Sequence, residues 1–269
     1  MLKFFRKIRK RLLNRSSIGK YLLYALGEII LVVIGILIAL QINTWNENRK
    51  LRDKEIAMLI NFQESLKEDK AELELVIPSN DRVRNSIDLL VHHIENGLSY
   101  QDSLKYHFFN STVKWIPNFQ TSAFENLKSE GITLISNDNL RQAIVDYYDD
   151  GLSATNWQTE TYRNVVMNAY ETVLNTRFES FWDSNYDELI QKMLKPDNNP
   201  ENDVNPSEIK GEMIPLDYES LKKDNEYLYF LKSLKNINSW HMDRVLKKDL
   251  RTVKHLIKEI ESELAVLKP

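Results

Sequence analysis

The residues that could support chemistry are histidines and carboxylates, because the chain of 269 residues contains no cysteine. Adjacent His92 and His93 point about 100° apart on a helix, which does not match the paired face of an HExxH zinc site. His241 and His255 are fourteen residues apart, too far to share one metal on a single helix. With His107 they are interpreted as core, interface or surface histidines, and no metal site is predicted.

The abundant carboxylates lie in groups typical of solvated helix faces. Such groups are Glu64/Glu68, Asp146/Asp149/Asp150 and Glu259/Glu261/Glu263. The chain has no GxSxG, Walker, GxGxxG or kinase motif. Four tryptophans are interpreted as core or interface anchors rather than as a ligand box: Trp115, Trp157, Trp182 and Trp240. The sequence therefore predicts a protein that is not an enzyme and has no cofactor, although a hidden carboxylate pair stays an alternative.

A long apolar segment lies near the N-terminus. Residues 21–45 form 25 residues interrupted by one charge, Glu28. About 20 apolar residues span a bilayer core of ~30 Å as a helix. Eight basic residues and no acidic residue precede Glu28, which predicts a cytoplasmic N-terminus. A transmembrane signal anchor is therefore predicted at 21–45, with the body at 46–269 outside the cytoplasm.

Two alternatives to the anchor are weaker. A cleaved signal peptide has a shorter apolar stretch of ~7–15 residues and a small-x-small cleavage site, which the exit ALQINTWNENRK lacks. A buried core helix of a soluble protein would not require the strongly basic flank, so the flank disfavours this alternative. The basic charges lie against the membrane and the body is acidic, so no nucleic-acid partner is expected.

The first 20 residues form a basic arm with amphipathic character. On a helix, the apolar side chains of MLKFFRKIRKRLL gather on one side and the basic ones on the other. A basic amphipathic helix lies in the headgroup layer and is attracted to anionic lipid. We therefore predict headgroup contacts for Lys3, Arg6, Lys7 and Lys10; the alternative is that these charges only set topology.

An ionisable residue within a spanning segment is costly and suggests function. A helix places Glu28 on one stripe with small residues that allow close helix approach. The predicted association face consists of Glu28, Val32, Gly35, Ala39, Ile42 and Asn46. The alternative is that Glu28 only reaches the headgroups, since the 17 uncharged residues 29–45 are just enough to span.

The body has helical periodicity. Apolar residues repeat every three or four positions from Leu59 to Val76, and Pro78 predicts a helix end because it disfavours helix for the preceding residue. Ser79, Asn80 and Asp81 offer N-cap chemistry for a second helix that ends near Gly97. Residues 99–122 are less regular, and further helices are predicted after Ser136 or Asn137 and from about Ser153 to Phe181. Residues 195–215 are interpreted as a mobile loop, because they lack the EF-hand template.

The C-terminal segment has the clearest pattern. Seven apolar residues follow strict 4,3 spacing from Leu246 to Leu267, a coiled-coil-like stripe that bundle helices share. One helix from about Asp224 to Leu267 is predicted, packed antiparallel on the helix that leaves the membrane. The fold class is therefore all-α: an N-terminal transmembrane helix that continues into an elongated extracytoplasmic helical bundle with long antiparallel helices.

Several segments resemble an uncharacterised single-pass membrane family common in Bacteroidota, catalogued as domain of unknown function six-thousand-ninety. The resemblance lies in KFFRKIRKRLL, in GKYLLYALGEIILVVIGILIALQINTWNENRK, in FENLKSEGITLISNDNLRQAIVDYY, and in YLYFLKSLKNI with IKEIESEL. It implies a helical protein anchored in a bacterial inner membrane, with a periplasmic body, in which Glu28 belongs to a recurring block. It implies no activity, substrate or cofactor.

Two functions remain open from the sequence. The first is a self-associating scaffold, a homo-oligomer that also holds membrane or periplasmic protein partners through helical surfaces. The second is a periplasmic sensor that transmits a signal through a continuous helix. The cytoplasmic part has only about 20 residues, so sensing requires a separate membrane partner.

Overall fold

The computed structural model describes residues 18–185, 187–188 and 210–268, and confirms a nearly all-α chain. A 78-residue helix, α1, is the first element described. The α-helices are α1 (Ile18–Glu95), α2 (Leu104–Thr112), α3 (Ser122–Glu130), α4 (Asp138–Asp146), α5 (Leu152–Thr172), α6 (Tyr218–Leu221), α7 (Asn225–Trp240) and α8 (Lys247–Leu267).

Shorter elements join the helices. Two single-turn π-helical segments, Tyr147–Gly151 and His241–Leu246, connect α4 to α5 and α7 to α8. Two 3₁₀ turns lie at Ile132–Leu134 and Leu174–Thr176, and antiparallel strands β1 (Asp183–Ser184) and β2 (Gly211–Glu212) form a short ribbon. The chain divides into two compact units, residues 1–55 and 56–269.

The predicted helix end at Pro78 is wrong, because α1 runs through it to Glu95. Pro78 has no N–H to donate, but neighbouring side chains bond the backbone around it. Ser79 Oγ donates to the Leu75 carbonyl at 2.9 Å, and Asn80 Nδ2 donates to the Val76 carbonyl at 3.2 Å. Ser79 and Asn80 therefore brace one helix from within instead of capping a second one, and buried apolar residues on both sides of Pro78 hold the helix in place.

In unit 1, the helix exposes most of the apolar side chains that the structure describes between residues 21 and 55. The most apolar 18-residue window has a mean hydropathy of 2.6, and none of it is buried. Among the described residues, this is one helix long and apolar enough to cross a membrane. A core helix of a soluble protein would bury such a stripe, so the exposed surface disfavours that alternative. The basic arm, with Lys3, Arg6, Lys7 and Lys10, lies outside the described residues.

In unit 2, α1 packs antiparallel to α7 and α8, as the heptad-like spacing predicted. Ion pairs join Asp88 to Lys235 at 2.5 Å and Glu74 to Lys254 at 2.9 Å, and Gln63 Nε2 donates to Glu261 at 3.1 Å. The partner positions fall along one helix as they rise along the other, which defines an antiparallel pair. Beneath them lie fully buried apolar residues of both helices, among them Phe62, Leu66, Leu73, Val253, Leu256 and Ile260.

Several shorter predictions are tested by the structure. α1 ends just before Gly97, which has a φ of 62°. Gly131 follows α3 with a φ of 102°. Asn137 caps α4 by accepting from the N–H groups of residues 139 and 140, so it is the cap among the two predicted candidates. The predicted α7–α8 helix begins at its cap Asp224, as expected.

One helix was not predicted, and another was predicted too long. The region 99–122, described from the sequence only as less regular, contains α2, whose Phe108 and Phe109 are buried in the core. The helix predicted to reach Phe181 ends at Thr172, where the chain enters the 3₁₀ turn Leu174–Thr176. After this turn the backbone pairs with another segment: Glu179 N–H donates to the Ile214 carbonyl, and Leu216 N–H donates to the Arg177 carbonyl. Most of the predicted loop 195–215 lies outside the described residues, and its end forms β2.

Candidate functional site

A buried polar network joins α1, the segment after α2, and α7. Asn80 Nδ2 donates to the Trp115 carbonyl at 2.8 Å, and the Trp115 N–H donates to Asn80 Oδ1 at 3.4 Å. Asn238 Nδ2 donates to the Asn80 carbonyl at 3.0 Å, and Asn238 Oδ1 accepts from Lys114 Nζ at 3.1 Å. Both asparagines are fully buried, so this network fixes the relative position of three chain segments far apart in sequence.

The network contains an ammonium group with no acidic partner among the described residues. Lys114 Nζ lies 5.1 Å from the centroid of the Tyr162 ring and bonds the neutral amide of Asn238. Burial without a carboxylate disfavours the charged form and lowers the pKa of Lys114 from 10.5 to about 7. The side chain thus changes charge near neutral pH.

His241 lies one turn after Asn238, at the start of the second π-helical segment. It is fully buried, and neither ring nitrogen has a hydrogen-bond partner in the described part of the chain. Burial, and secondarily the Lys114 charge, lower the pKa of His241 to about 3. The ring is therefore a neutral core group at physiological pH, as the sequence interpretation of the histidines allows.

An aromatic cavity lies beside this network, between Trp115 and Trp182. We call it the tryptophan cavity; its volume is about 590 Å³, and Phe109, Lys114, Trp115, Trp182, Asp183 and Asp187 line it. Trp182 has a φ of 56°, a left-handed conformation that is costly for a bulky residue. Its indole N–H donates to Thr112 Oγ1 at 2.8 Å, and its ring stacks on Phe181 at 4.6 Å. These contacts hold the Trp182 ring as a fixed wall.

A second buried cluster surrounds the first π-helical segment. Asp69 is fully buried; its carboxylate accepts from the Gln120 N–H at 2.8 Å and from the Tyr147 hydroxyl at 3.2 Å. Asp249 accepts from the Thr155 hydroxyl at 3.0 Å. Burial outweighs these hydrogen bonds and raises the pKa of each carboxyl from 3.8 to about 6. Through these hydrogen bonds, the two carboxylates link neighbouring segments inside the core.

A groove between α5 and α7 exposes aromatic surface. We call it the α7 groove; its volume is about 590 Å³, and its walls include Val165, Ala169, Tyr229, Phe230 and Ile237. Tyr229 is 75% exposed, and Trp240, which lies on the same helical stripe of α7, is 50% exposed. Exposed Tyr and Trp beside an apolar groove are typical of protein interfaces.

The predicted association face forms one exposed stripe of α1. Glu28, Val32, Gly35, Ala39, Ile42 and Asn46 are all exposed. The stripe thus has the position and small residues that close helix approach requires, and its role in association stays a prediction.

The histidines predicted to lack a shared metal are dispersed. His92 and His93 have ring centroids 6.4 Å apart at an interplanar angle of 80°, and His107 Nδ1 lies 3.0 Å from Ser86 Oγ. In the parts of the chain that the structure describes, no three His, Asp or Glu side chains could hold a metal ion.

The tryptophans interpreted as core or interface anchors differ in exposure. Trp157 is 63% exposed and Trp240 is 50% exposed, so neither belongs to the core. Trp115 and Trp182 line a cavity although 66 residues separate them. Sequence reasoning missed Lys114 entirely; its place between apolar residues, in TVKWI, was the available signal.

The comparisons with known proteins agree with the resemblance seen in the sequence. A model of the family described as family of unknown function (DUF6090) matches residues 28–176. No curated protein and no solved structure matches the chain. The match begins at Glu28 and includes Asp69, Asn80, Lys114 and Trp115, and it covers more than half of the chain. The protein therefore belongs to the family of unknown function DUF6090.

Proposed function

We propose that the protein is a non-enzymatic scaffold that associates with itself and is anchored in the bacterial inner membrane by a single span. The α7 groove is the observation that carries the proposal. Tyr229 and Trp240 expose large aromatic surfaces beside the apolar walls of Val165, Phe230 and Ile237. Such anchors are enriched at protein interfaces, where a helix docks its apolar face into a groove.

The membrane part of the proposal rests on unit 1. Its exposed apolar helix and the basic residues that precede Glu28 support one span with a cytoplasmic N-terminus and a periplasmic unit 2. A reporter enzyme that is active only outside the cytoplasm, fused near residue 160, should be active. Activity from a cytoplasm-dependent reporter at this position would contradict the topology.

Within the membrane, the stripe from Glu28 to Asn46 is proposed as a second association surface. Gly35 and Ala39 allow two helices to approach closely, and Glu28 then lies inside the assembly. Glu28→Leu should weaken association, because leucine removes the polar group that would form interhelical hydrogen bonds. An unchanged assembly would remove Glu28 from this surface and leave it an interfacial residue.

The experiment that tests self-association is the mass and composition of the complex extracted from membranes in mild detergent. We expect an oligomer of this chain whose mass falls in a Tyr229→Ser/Trp240→Ser variant. Trp157→Ser is the matched control, since it also removes an exposed tryptophan but lies outside the α7 groove. A monomeric wild type would contradict the proposal, and a mixed complex would replace self-association with an accessory role.

A sensor is the second candidate, because α1 is one uninterrupted helix from Ile18 through Pro78 to Glu95. A continuous helix transmits small shifts between its ends. Asn80 of this helix bonds Trp115, which lines the tryptophan cavity, so a ligand there would contact the helix through one residue. A ligand-dependent rise in melting temperature would favour the sensor over the scaffold.

A further inference from the structure

We propose that the tryptophan cavity binds a small organic cation, an amine or quaternary ammonium group carried on an apolar body. The cavity volume of about 590 Å³ lies within the range of small-molecule sites, ~300–1,000 Å³. This binding site is independent of the α7 groove and goes beyond the scaffold function.

The walls of the cavity suit an apolar body with a positive charge. Phe109, Trp115 and Trp182 present three aromatic rings, and aromatic faces attract ammonium groups, with tryptophan the strongest. The Trp182 ring does not collapse into the space, because its indole is bonded to Thr112 and its ring is stacked on Phe181. The cavity is therefore preformed.

The charges of the cavity select a cation. Asp183 and Asp187 line it with exposed carboxylates, and neither forms an ion pair with a cation of the described residues. Lys114 is the one basic residue among the described residues of the lining, but its ammonium bonds Asn238 and faces the Tyr162 ring of the core. Burial lowers its pKa to about 7, so it opposes the two carboxylates weakly at pH 8. The cavity thus keeps a net negative charge.

Binding is tested on the full chain in nanodiscs of zwitterionic lipid, by calorimetry and by tryptophan fluorescence. Three probes share the same phenethyl body and differ in the charge of the head group: phenethylammonium, neutral 2-phenylethanol and anionic 3-phenylpropanoate. We expect saturable binding of phenethylammonium, weaker binding of the alcohol, and the weakest binding of the anion. Binding of the cation should decrease as ionic strength rises. No saturable binding of phenethylammonium, or equal binding of the three probes, would overturn the proposal.

Variants locate the binding site. Asp183→Asn with Asp187→Asn should weaken phenethylammonium binding about tenfold, since two partly screened charge interactions are lost. Asp149→Asn is the matched control, because Asp149 is exposed and lies outside the cavity lining. Both carboxylates are exposed, so circular dichroism should show an unchanged fold. Equal affinity in the double variant and the wild type would overturn the assignment.

Binding of phenethylammonium can be tested separately from self-association. The Tyr229→Ser/Trp240→Ser variant changes no residue of the cavity, so it should bind phenethylammonium with wild-type affinity even as a monomer. Loss of binding in this variant would contradict the independence of the two sites.

Discussion

Replacing Asp69 with asparagine is expected to stabilise the protein at pH 8 and to have little effect at pH 4.5. Burial raises the pKa of Asp69 from 3.8 to about 6, so the native state holds its proton more tightly than the unfolded state. The stabilising contribution of this proton is fully present below pH 4 and is lost as the pH rises through 6. At pH 8 the native protein therefore carries a buried charge that the unfolded chain would solvate.

The magnitude follows from the pKa of Asp69. At ~1.36 kcal/mol per pKa unit, moving the pKa from 3.8 to about 6 costs at most about 3 kcal/mol at pH 8. Asparagine keeps an acceptor for the Gln120 N–H and offers a donor to the Tyr147 oxygen, but leaves one N–H unbonded, which costs about 1 kcal/mol. The net gain is about 2 kcal/mol at pH 8. The benefit should shrink by about 2 kcal/mol between pH 8 and pH 4.5.

The assay is urea unfolding of the full chain in nanodiscs at both pH values, followed by tryptophan fluorescence. Asp149→Asn serves as the control, because it makes the same chemical change at an exposed position. A loss of stability at pH 8 equal to that at pH 4.5 would refute the reasoning. It would mean that the hydrogen bonds to the carboxylate, rather than its desolvation, dominate.

Three further predictions concern stability and are each checked by the same urea or thermal unfolding of the full chain. In the wild type, the unfolding free energy should rise by about 2 kcal/mol from pH 7 to pH 9, because the native pKa of Lys114, about 7, lies below the unfolded value of 10.5 and stability is lost as the pH falls toward 7. Lys114→Met should remove this rise. The same pH dependence in the variant would contradict the prediction. Gly211→Ala should destabilise by about 1–3 kcal/mol, since a Cβ would overlap the ring of Phe109, and an unchanged melting temperature would show that the ring moves freely. Lys254→Ala should lower the unfolding free energy by less than about 1 kcal/mol, because both partners of its ion pair with Glu74 are nearly half exposed. A larger loss of stability would contradict this weak contribution.

The periodic parts of the fold are predictable from sequence. The 4,3 spacing from Leu246 to Leu267 identifies most of the core-facing stripe of α8, although Ile257 is only partly buried and Leu256, outside the pattern, is fully buried. The cap chemistry of Asn137 and Asp224 marks two helix starts. Pro78 fails as a helix end because its local preference is overridden: tertiary packing on both sides holds the helix, and nearby side chains bond the backbone. Local rules thus predict elements that are stabilised locally.

The candidate site is not predictable in the same way. The tryptophan cavity unites Trp115 with Trp182, and the polar network unites Asn80 with Asn238, so their proximity depends on how helices pack. The π-helical segment His241–Leu246 lies at the start of the regular apolar pattern, which gives no sign of it. The half-buried Lys114 is visible in the sequence only as one charge among apolar neighbours.

In-cell photocrosslinking at Tyr229 tests the central claim of self-association most directly. A photoreactive phenylalanine analogue is placed at Tyr229, and at exposed Glu259 of α8 as the control. Self-association through the α7 groove predicts a crosslinked dimer of this chain from Tyr229 and none from Glu259. Equal crosslinking from both positions, or no self-crosslink from Tyr229 in a membrane where the protein is abundant, would contradict it.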